Sequence, residues 1–180
     1  MLDTKGPEIR LRNFAGGAAE LEDGATFTLT TREIEGNAEI ASVTFPGFAA
    51  GLQPGDTVLI DDGSLRLQVE SVTETDVCCK VLHGGRIADH KGINVPNVHM
   101  DIPALGSRDK EDLLFGIQND VDFVAASFVR SKEDVVAIRR FLDYNGGHQI
   151  KIISKIENTE GIENFDAILD CSEMCIRDRP

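Results

Sequence analysis

The chain has 180 residues, 41% of them hydrophobic and 27% charged, proportions that are typical of a folded globular protein and exclude a fibrous or wholly disordered one. Its 31 acidic residues outnumber its 18 basic residues, so the formal net charge is −13. This charge disfavours binding to nucleic acid or to an anionic membrane surface. An anionic ligand would have to be bound by local groups of basic residues.

No targeting or membrane segment is evident. The longest mostly apolar run, residues 121–129, is interrupted by Asp122 and is too short to span a bilayer. Residues 1–5 lack the apolar stretch of a secretory signal, and the four cysteines do not have the spacing of a zinc site. These features predict a cytoplasmic protein with reduced thiols and no membrane partner.

The segment from Glu8 to about Val98 has the pattern of a small antiparallel β-domain. Short apolar and β-branched runs alternate there with glycine-rich and acidic turns such as Asp61–Gly63 and Gly84–Gly85. The predicted strands are Glu8–Leu11, Thr26–Thr30, Ile40–Phe45, Thr57–Ile60, Leu65–Val69 and Val77–Leu82. Several short strands of this kind favour a compact barrel.

After Met100 the pattern changes to alternating helices and strands. A first helix, capped by Ser107 or Asp109, is predicted to end near Gln118, and the strand Val121–Phe128 follows it. A second helix begins at Ser131 and has an apolar stripe formed by Val135, Ile138, Phe141 and Leu142. The strand Ile150–Asn158 comes next, and a third helix begins at Thr159 with the apolar residues Ile162, Phe165, Ile168 and Leu169. This order predicts a parallel sheet. Residues 1–4 have the pattern of the end of a further strand, so we expect these elements to belong to a larger sheet.

The strand Ile150–Asn158 ends in a lysine and a glutamate. Because strand side chains alternate between faces, Lys155 and Glu157 should lie on the same face, roughly 7 Å apart along the strand. At the carboxyl end of a parallel strand such a pair suits an anionic substrate held with a divalent metal. Glu157 would bind the metal, and Lys155 would stabilise negative charge that develops on the substrate. The alternative is a surface ion pair at a frayed strand end.

Two further segments carry candidate ligand-binding residues. Asp3 and Thr4 offer oxygen ligands for a metal ion, and Arg10 offers a planar fork that suits phosphate. Lys91 could reach a phosphate across a cleft between domains. The alternative for the first segment, which is moderately specific by itself, is a polar turn; for Lys91 it is an ordinary exposed lysine, which is the commoner outcome for any single lysine. The chain has neither of the common glycine-rich nucleotide-binding loops.

Four segments in register resemble pyruvate kinase. They are LDTKGPEIR at positions 2–10, KGINVP at 91–96, DFVAASFVR at 122–130 and IISKIENTEG at 152–161. The resemblance implies an α/β fold, namely a partial TIM (β/α)8 barrel interrupted by an inserted small antiparallel β-barrel domain. Residues 1–5 would end a strand of the barrel (A) domain, 6–98 would form the lid (B) domain, 99–170 would form further βα units of the A domain, and 171–180 would be a tail outside the family.

The resemblance also implies a reaction, cofactors and site residues. The reaction is phosphoryl transfer from phosphoenolpyruvate to ADP, giving pyruvate and ATP, with magnesium and potassium. The matching residues are Lys155 as the catalytic and substrate-binding lysine, Glu157 as a magnesium ligand, Asp3 and Thr4 as potassium ligands, and Arg10 and Lys91 as nucleotide-phosphate contacts. The full-length parent is expected to be a cytoplasmic homo-oligomer.

The resemblance stops near Cys171. The family continues there with Ser-Asp-Gly-Ile-Met-Val-Ala-Arg-Gly-Asp-Leu-Gly, whose second aspartate is the other magnesium ligand, and the 180 residues lack both that segment and an upstream Arg-x-Asn-x-Ser-His-Gly. We therefore expect an internal fragment with a tail of foreign origin, nearly inactive by itself. Two alternatives stay open: a non-catalytic β-barrel binding module, and another metal-dependent barrel enzyme, a lyase or aldolase acting on phosphoenolpyruvate or pyruvate. The lyase or aldolase alternative does not explain why the chain contains the inserted β-domain and Lys91.

Overall fold

The structure is a computed structural model that describes residues 1–96 and 98–176. It divides into two compact units, of which the first contains Met1–Pro7 and the residues from Pro103 on, and the second contains Glu8–Ile102. These bounds lie close to the predicted ones, after residues 5 and 98. The assignment of the second unit as a lid stays a prediction.

Strands predominate over helices along the chain. The strands of the described residues are β1 (Leu2–Asp3), β2 (Ile9–Arg10), β3 (Ala18–Leu21), β4 (Thr26–Thr30), β5 (Ile40–Ser42), β6 (Thr57–Ile60), β7 (Leu65–Val72), β8 (Asp76–His83), β9 (Gly85–Ala88), β10 (Gly92–Asn94), β11 (Phe123–Ala126), β12 (Lys151–Lys155) and β13 (Met174–Ile176). The α-helices are α1 (Ser107–Gln118), α2 (Lys132–Tyr144), α3 (Thr159–Glu163) and α4 (Phe165–Leu169), and short 3₁₀ turns lie at Ala15–Gly17 and Ala49–Gly51.

The first unit contains a parallel sheet with the strand order β1-β11-β12-β13. Each strand pairs with the strand that follows it along the chain within this unit, so the order does not reverse. This is the order of a barrel wall and not of a doubly wound sheet. Val124 and Ile152 are almost fully buried in the sheet, and Leu142 of α2 packs in the same core. The predicted parallel sheet is confirmed.

The helices of the first unit differ from the predictions in two places. Gly106, and not Ser107 or Asp109, occupies the N-cap position of α1, but Asp109 does cap the helix from its third residue: the buried carboxylate accepts hydrogen bonds from the N–H groups of Gly106 and Gly6, both at 3.0 Å. The predicted third helix is split into α3 and α4. Its apolar stripe is buried only at Ile168, whereas Ile162 is 63% exposed, because two helices of five residues do not present one continuous face.

The second unit is a closed β-barrel. Its main sheet has the strand order β2-β10-β6-β7-β8-β4-β5, with antiparallel pairs except for the parallel pair β4 and β5. A bridge between Leu11 and Val43 joins the two outer strands, and backbone bonds from Thr44 N–H to the Arg10 carbonyl at 2.9 Å and from Arg12 N–H to the Ser42 carbonyl at 2.8 Å extend this closure. The predicted barrel is therefore confirmed.

Period-two alternation positions the barrel core. Leu65, Leu67 and Val69 of β7 are buried, while the residues between them are exposed. All six predicted strands occur, with shifted ends at four of them. The sequence patterns missed β3, β9 and β10, because each has only three or four residues and a single large apolar side chain, too few to show a strand pattern.

None of the helices in the described part of the chain has the length and apolar character needed to cross a lipid bilayer.

Candidate active site

Three neighbouring parallel strands end at the same edge of the first unit's sheet. Asp3 is the last residue of β1, Ser127 directly follows β11, and Lys155 is the last residue of β12. Pairing of Asp3 with Ala125 and of Ala126 with Ser154 aligns these ends. The three polar side chains therefore converge at the carboxyl ends of the strands, where ligand sites of barrel folds lie.

The Lys155 ammonium lies among oxygen atoms from several segments of the chain. Its Nζ donates to Ser127 Oγ at 2.9 Å and to the two carboxylate oxygens of Asp3 at 3.2 and 3.4 Å, and it lies 3.8 Å from Glu157 Oε1. Lys155 is only 7% exposed, whereas the Asp3 side chain is 63% exposed. A buried ammonium needs such partners because it has lost most of its hydration. The alternative of a surface ion pair at a frayed strand end is excluded.

Glu157 lies on the same side as Lys155, as predicted, although β12 ends at Lys155 and does not continue to Asn158. Its Oε2 accepts a hydrogen bond from the backbone N–H of Phe128 at 2.7 Å. Its side chain is 16% exposed. The carboxylate is therefore held from one side by an amide and faces the lysine with its other oxygen.

The candidate metal ligands can be tested against these contacts. A magnesium ion in a site of this kind takes one or two protein carboxylates and completes its shell with water and substrate phosphates, so the Glu157 carboxylate is chemically suitable as one ligand. Within the described ranges there is no group of three or more His, Cys, Asp or Glu residues that could hold a metal ion. The Glu157 carboxylate by itself fits the part of one protein ligand to such an ion.

Thr4 contributes differently from Asp3. Its hydroxyl donates to the Ala125 carbonyl and accepts from the Ser127 N–H, both at 3.3 Å, and the residue is 6% exposed. The Thr4 carbonyl accepts a hydrogen bond from Ser127 Oγ at 2.6 Å. The Thr4 hydroxyl is thus occupied by hydrogen bonds within the first unit. The oxygens suited to a potassium ion are those of the Asp3 carboxylate and the Thr4 carbonyl oxygen, which has a second lone pair.

Arg10 and Lys91 lie on neighbouring backbone segments of the second unit, because Arg10 of β2 pairs with Gly92 of β10, the residue that follows Lys91. The Arg10 guanidinium forms a bidentate pair with Glu8, with both N–O distances at 2.7 Å, and donates to the His90 carbonyl at 2.8 Å. Its hydrogen bond to Glu8 raises the pKa of Arg10, although partial burial acts in the opposite direction. Lys91 Nζ lies 3.0 Å from Asp61 Oδ1. Each predicted phosphate-binding cation is therefore paired with an acid of its own unit.

Sequence reasoning assigned no role to Ser127 or to the acids that pair with Arg10 and Lys91. A signal for Ser127 was available, since a hydroxyl directly after an apolar strand takes the same place as Asp3 and Lys155 on the neighbouring strands. The pairing of Lys91 with Asp61 had no local signal, because these residues are 30 positions apart.

Comparisons with known proteins agree with this geometry. A family model described as the pyruvate kinase barrel domain matches residues 1–179. The pyruvate kinase of Clostridium acetobutylicum is 47% identical over 173 residues, and that of Clostridium perfringens is 47% identical over 174 residues; each match covers 96% of this chain and 37% of the relative. A crystal structure of a pyruvate kinase from Cryptosporidium parvum superposes with a TM-score of 0.86 and is 40% identical, covering 96% of this chain and 37% of that one.

The chain thus spans 37% of the length of these relatives. The family match extends through most of the segment 171–180, which the sequence analysis placed outside the family, and Met174–Ile176 of that segment form β13 in the sheet. The origin of this segment stays a prediction. The matches favour neither a separate binding module nor a lyase or aldolase. The sequence motifs, the partial TIM barrel with its inserted β-barrel, and these matches together show that the chain belongs to the pyruvate kinase family.

Proposed function

We propose that this chain forms part of an enzyme that transfers a phosphoryl group from phosphoenolpyruvate to ADP, giving pyruvate and ATP. The observation that carries the proposal is the buried Lys155 ammonium, 2.9 Å from Ser127 Oγ and 3.2 Å from Asp3 Oδ1 at the carboxyl edge of a parallel sheet. Membership of the family supplies the reaction. The geometry supports the choice of the residues that would take part in it.

Lys155 would act electrostatically. Phosphoryl transfer depends on positioning and on cations placed around developing charge more than on covalent catalysis. An ammonium held in a mostly buried site is already oriented, and its attraction to a transferred phosphoryl group or an enolate oxygen is weakened less by solvent than at an exposed site. We assign to Lys155 the contact with substrate and the stabilisation of the transition state.

Glu157 and Asp3 would supply carboxylate oxygens to the two metal ions. We assign Glu157 to magnesium, and the Asp3 carboxylate with the Thr4 carbonyl to potassium. Bound cations of this kind neutralise charge on phosphoryl and substrate oxygens. Glu157 alone is a weak site, so we expect the divalent ion to bind well only together with an anionic substrate.

Arg10 and Lys91 would contact the phosphates of the nucleotide. The guanidinium has the planar geometry that matches phosphate oxygens, and the side chains of Arg10 and Lys91 are 42% and 40% exposed. Each residue would have to exchange its present acid, Glu8 or Asp61, for a phosphate. The cytoplasmic location, the homo-oligomeric parent and the absence of nucleic-acid and membrane partners also remain proposals; the net charge of −13 supports the last of these.

A chimera tests the proposed function. The segment of the Clostridium acetobutylicum relative that this chain matches over 173 residues is replaced by the corresponding residues of this chain. Pyruvate formation is followed by coupling to lactate dehydrogenase. We expect turnover that requires a divalent cation and is lost in Lys155→Met but kept in Lys151→Met, which removes an exposed lysine at the opposite end of the same strand. A folded chimera whose turnover is insensitive to Lys155→Met would contradict the proposal.

A further inference from the structure

We propose that Ser127 and Phe128 form a positioning turn that holds the Lys155 ammonium and the Glu157 carboxylate in one fixed geometry. The consequence of this turn for catalysis rests on the proposed function, whereas the turn itself is argued from contacts within the first unit. We call residues 127–129 the positioning turn. They directly follow β11 and form the first part of its connection to α2.

The first observation is the backbone of Phe128. Its φ is 56°, in the left-handed region that residues with bulky side chains rarely adopt. A residue held there is strained, so the surrounding structure must favour it, and such residues concentrate at functional sites. Phe128 does not lie in a loose surface loop, because both of its neighbours in the chain, Ser127 and Val129, are buried.

The left-handed conformation directs the Phe128 amide to Glu157. The N–H donates to Glu157 Oε2 at 2.7 Å, which is a short, charge-assisted hydrogen bond. The preceding amide, that of Ser127, donates instead to the Thr4 hydroxyl at 3.3 Å. Two consecutive N–H groups thus bind side chains from two different segments, and one oxygen of Glu157 is fixed while the other lies 3.8 Å from Lys155 Nζ.

The Ser127 hydroxyl has a defined orientation. A hydroxyl carries a single hydrogen, and the shortest acceptor within reach is the Thr4 carbonyl at 2.6 Å, compared with 3.2 Å to Asp3 Oδ1. With its hydrogen donated to that carbonyl, Oγ presents its lone pairs to the Lys155 ammonium at 2.9 Å. Ser127 therefore acts as an acceptor that fixes the position of the lysine.

Close packing locks the positioning turn in place. A Cβ at Gly6 would lie 2.4 Å from the Ser127 carbonyl oxygen, and a Cβ at Gly161 would lie 2.6 Å from the Val129 carbonyl oxygen. The Val129 N–H also donates to the Lys155 carbonyl at 3.3 Å, and Asn158 Nδ2 donates to the Val129 carbonyl at 3.3 Å. These contacts explain how a strained residue persists in the turn.

The test uses the full 180-residue chain with Mn²⁺ in the presence of phosphoenolpyruvate as the probe, measured as free Mn²⁺ by electron paramagnetic resonance, together with hydrogen exchange of the Phe128 amide. Phe128→Val and Phe128→Gly form a matched pair: both lose the ring, but only glycine accepts the left-handed conformation without strain. We expect Phe128→Val to lose amide protection and to bind Mn²⁺ about 10- to 100-fold more weakly, as the removal of a ligand's supporting partner usually does. Phe128→Gly should retain the protection and most of the affinity.

A second pair of variants addresses the lysine without any metal. Acetylation of Lys155 by an amine-reactive ester, followed by mass spectrometry, should be faster in Ser127→Ala than in the wild type and should slow again in Ser127→Thr, which restores a hydroxyl. The exposed Lys151 of the same strand serves as the internal control, and its rate should not change.

The outcomes separate the two proposals. An unprotected Phe128 amide in the wild type, or a Phe128→Val variant that keeps both protection and affinity, would overturn the positioning turn. An acetylation rate of Lys155 that is the same in Ser127→Ala as in the wild type would overturn the claim that the Ser127 hydroxyl holds the lysine. If the wild-type chain binds no Mn²⁺ while amide protection and acetylation follow the expected pattern, the metal role of Glu157 fails and the positioning turn stands.

Discussion

The resemblance to pyruvate kinase predicts that Lys155 in the first unit and Lys91 in the second both contact phosphate groups, but the surroundings of the two lysines differ. Lys155 is 7% exposed and contacts oxygens of Asp3 and Ser127, which lie on two other segments of the chain. The Lys91 side chain is 40% exposed, and Asp61 is its partner at 3.0 Å. The Lys155 ammonium is fixed in position by buried contacts within the fold, whereas the Lys91 ammonium takes part in a surface ion pair.

This contrast matches two kinds of task. A group that stabilises developing charge works best when its position does not change during the reaction. A group that binds and releases a nucleotide benefits from an exchangeable partner, because an exposed ion pair is worth roughly 0 to 1 kcal/mol and is easily replaced. The difference in burial between the two lysines therefore predicts different kinetic effects when each is removed.

The largest effect should come from the two lysines in the chimera. We expect Lys155→Met to lower kcat by about 10²- to 10³-fold, the typical loss when one electrostatic contact to the transition state is removed. Lys91→Met should raise the KM for ADP about tenfold and leave kcat nearly unchanged, because it removes a binding contact to a charged group. Steady-state kinetics with varied ADP measure both, and equal kcat losses would mean that the two lysines do not differ in task.

Packing around the positioning turn should have the next largest effect. Gly6 has φ 72° and a Cβ there would lie 2.4 Å from a carbonyl oxygen, whereas Gly146 of the same unit has φ 88° with nothing within 4 Å. We expect Gly6→Ala to lower the free energy of unfolding by about 2 to 4 kcal/mol and Gly146→Ala by about 1 kcal/mol. Urea denaturation followed by circular dichroism gives both values. Similar losses would mean that the close approach at Gly6 is relaxed at little cost.

The interior of the second unit holds a titratable group without an opposite charge. Burial raises the pKa of the Cys79 thiol to about 12 from 9.0, with smaller contributions from Cys78 and Glu70. The unfolded chain therefore loses this proton near pH 9 while the folded chain keeps it, so stability is unaffected below pH 9 and falls as the pH rises towards 12, by about 1.4 kcal/mol per pH unit. Cys79→Val should remove this component of the slope. Equal slopes in urea denaturation between pH 9 and 10.5 would contradict the burial argument.

The smallest effect should come from the surface ion pair. Asp61→Asn removes the partner of Lys91, whose side chain is 40% exposed. We expect the thermal stability of the chain to change by less than about 1 kcal/mol, because water replaces the lost contact. Differential scanning calorimetry measures the change. A larger loss would show that the pair supports the barrel and is not readily exchanged for a ligand.

Local patterns predicted much of the fold. Short apolar and β-branched runs bounded by turn residues identified six strands of the barrel, and helical spacing identified α2 with its buried residues Val135, Ile138 and Leu142. The missed strands β3, β9 and β10 are segments of three or four residues with one large apolar side chain each, too short for such a pattern. Partners far away in the chain decide their structure, so the local sequence could not.

The sequence by itself predicted that Lys155 and Glu157 would lie on one face, because residues two positions apart along an extended backbone point to the same side, and the two side chains do lie together although β12 ends at Lys155. Only the tertiary structure decided that Asp3 and Ser127, 152 and 28 positions away from Lys155, would complete its surroundings. It also decided that Phe128 would take a left-handed conformation and turn its amide to Glu157. These contacts join the ends of separate strands, and their geometry follows from the register of the sheet and the packing of Gly6 and Gly161, which no local pattern encodes.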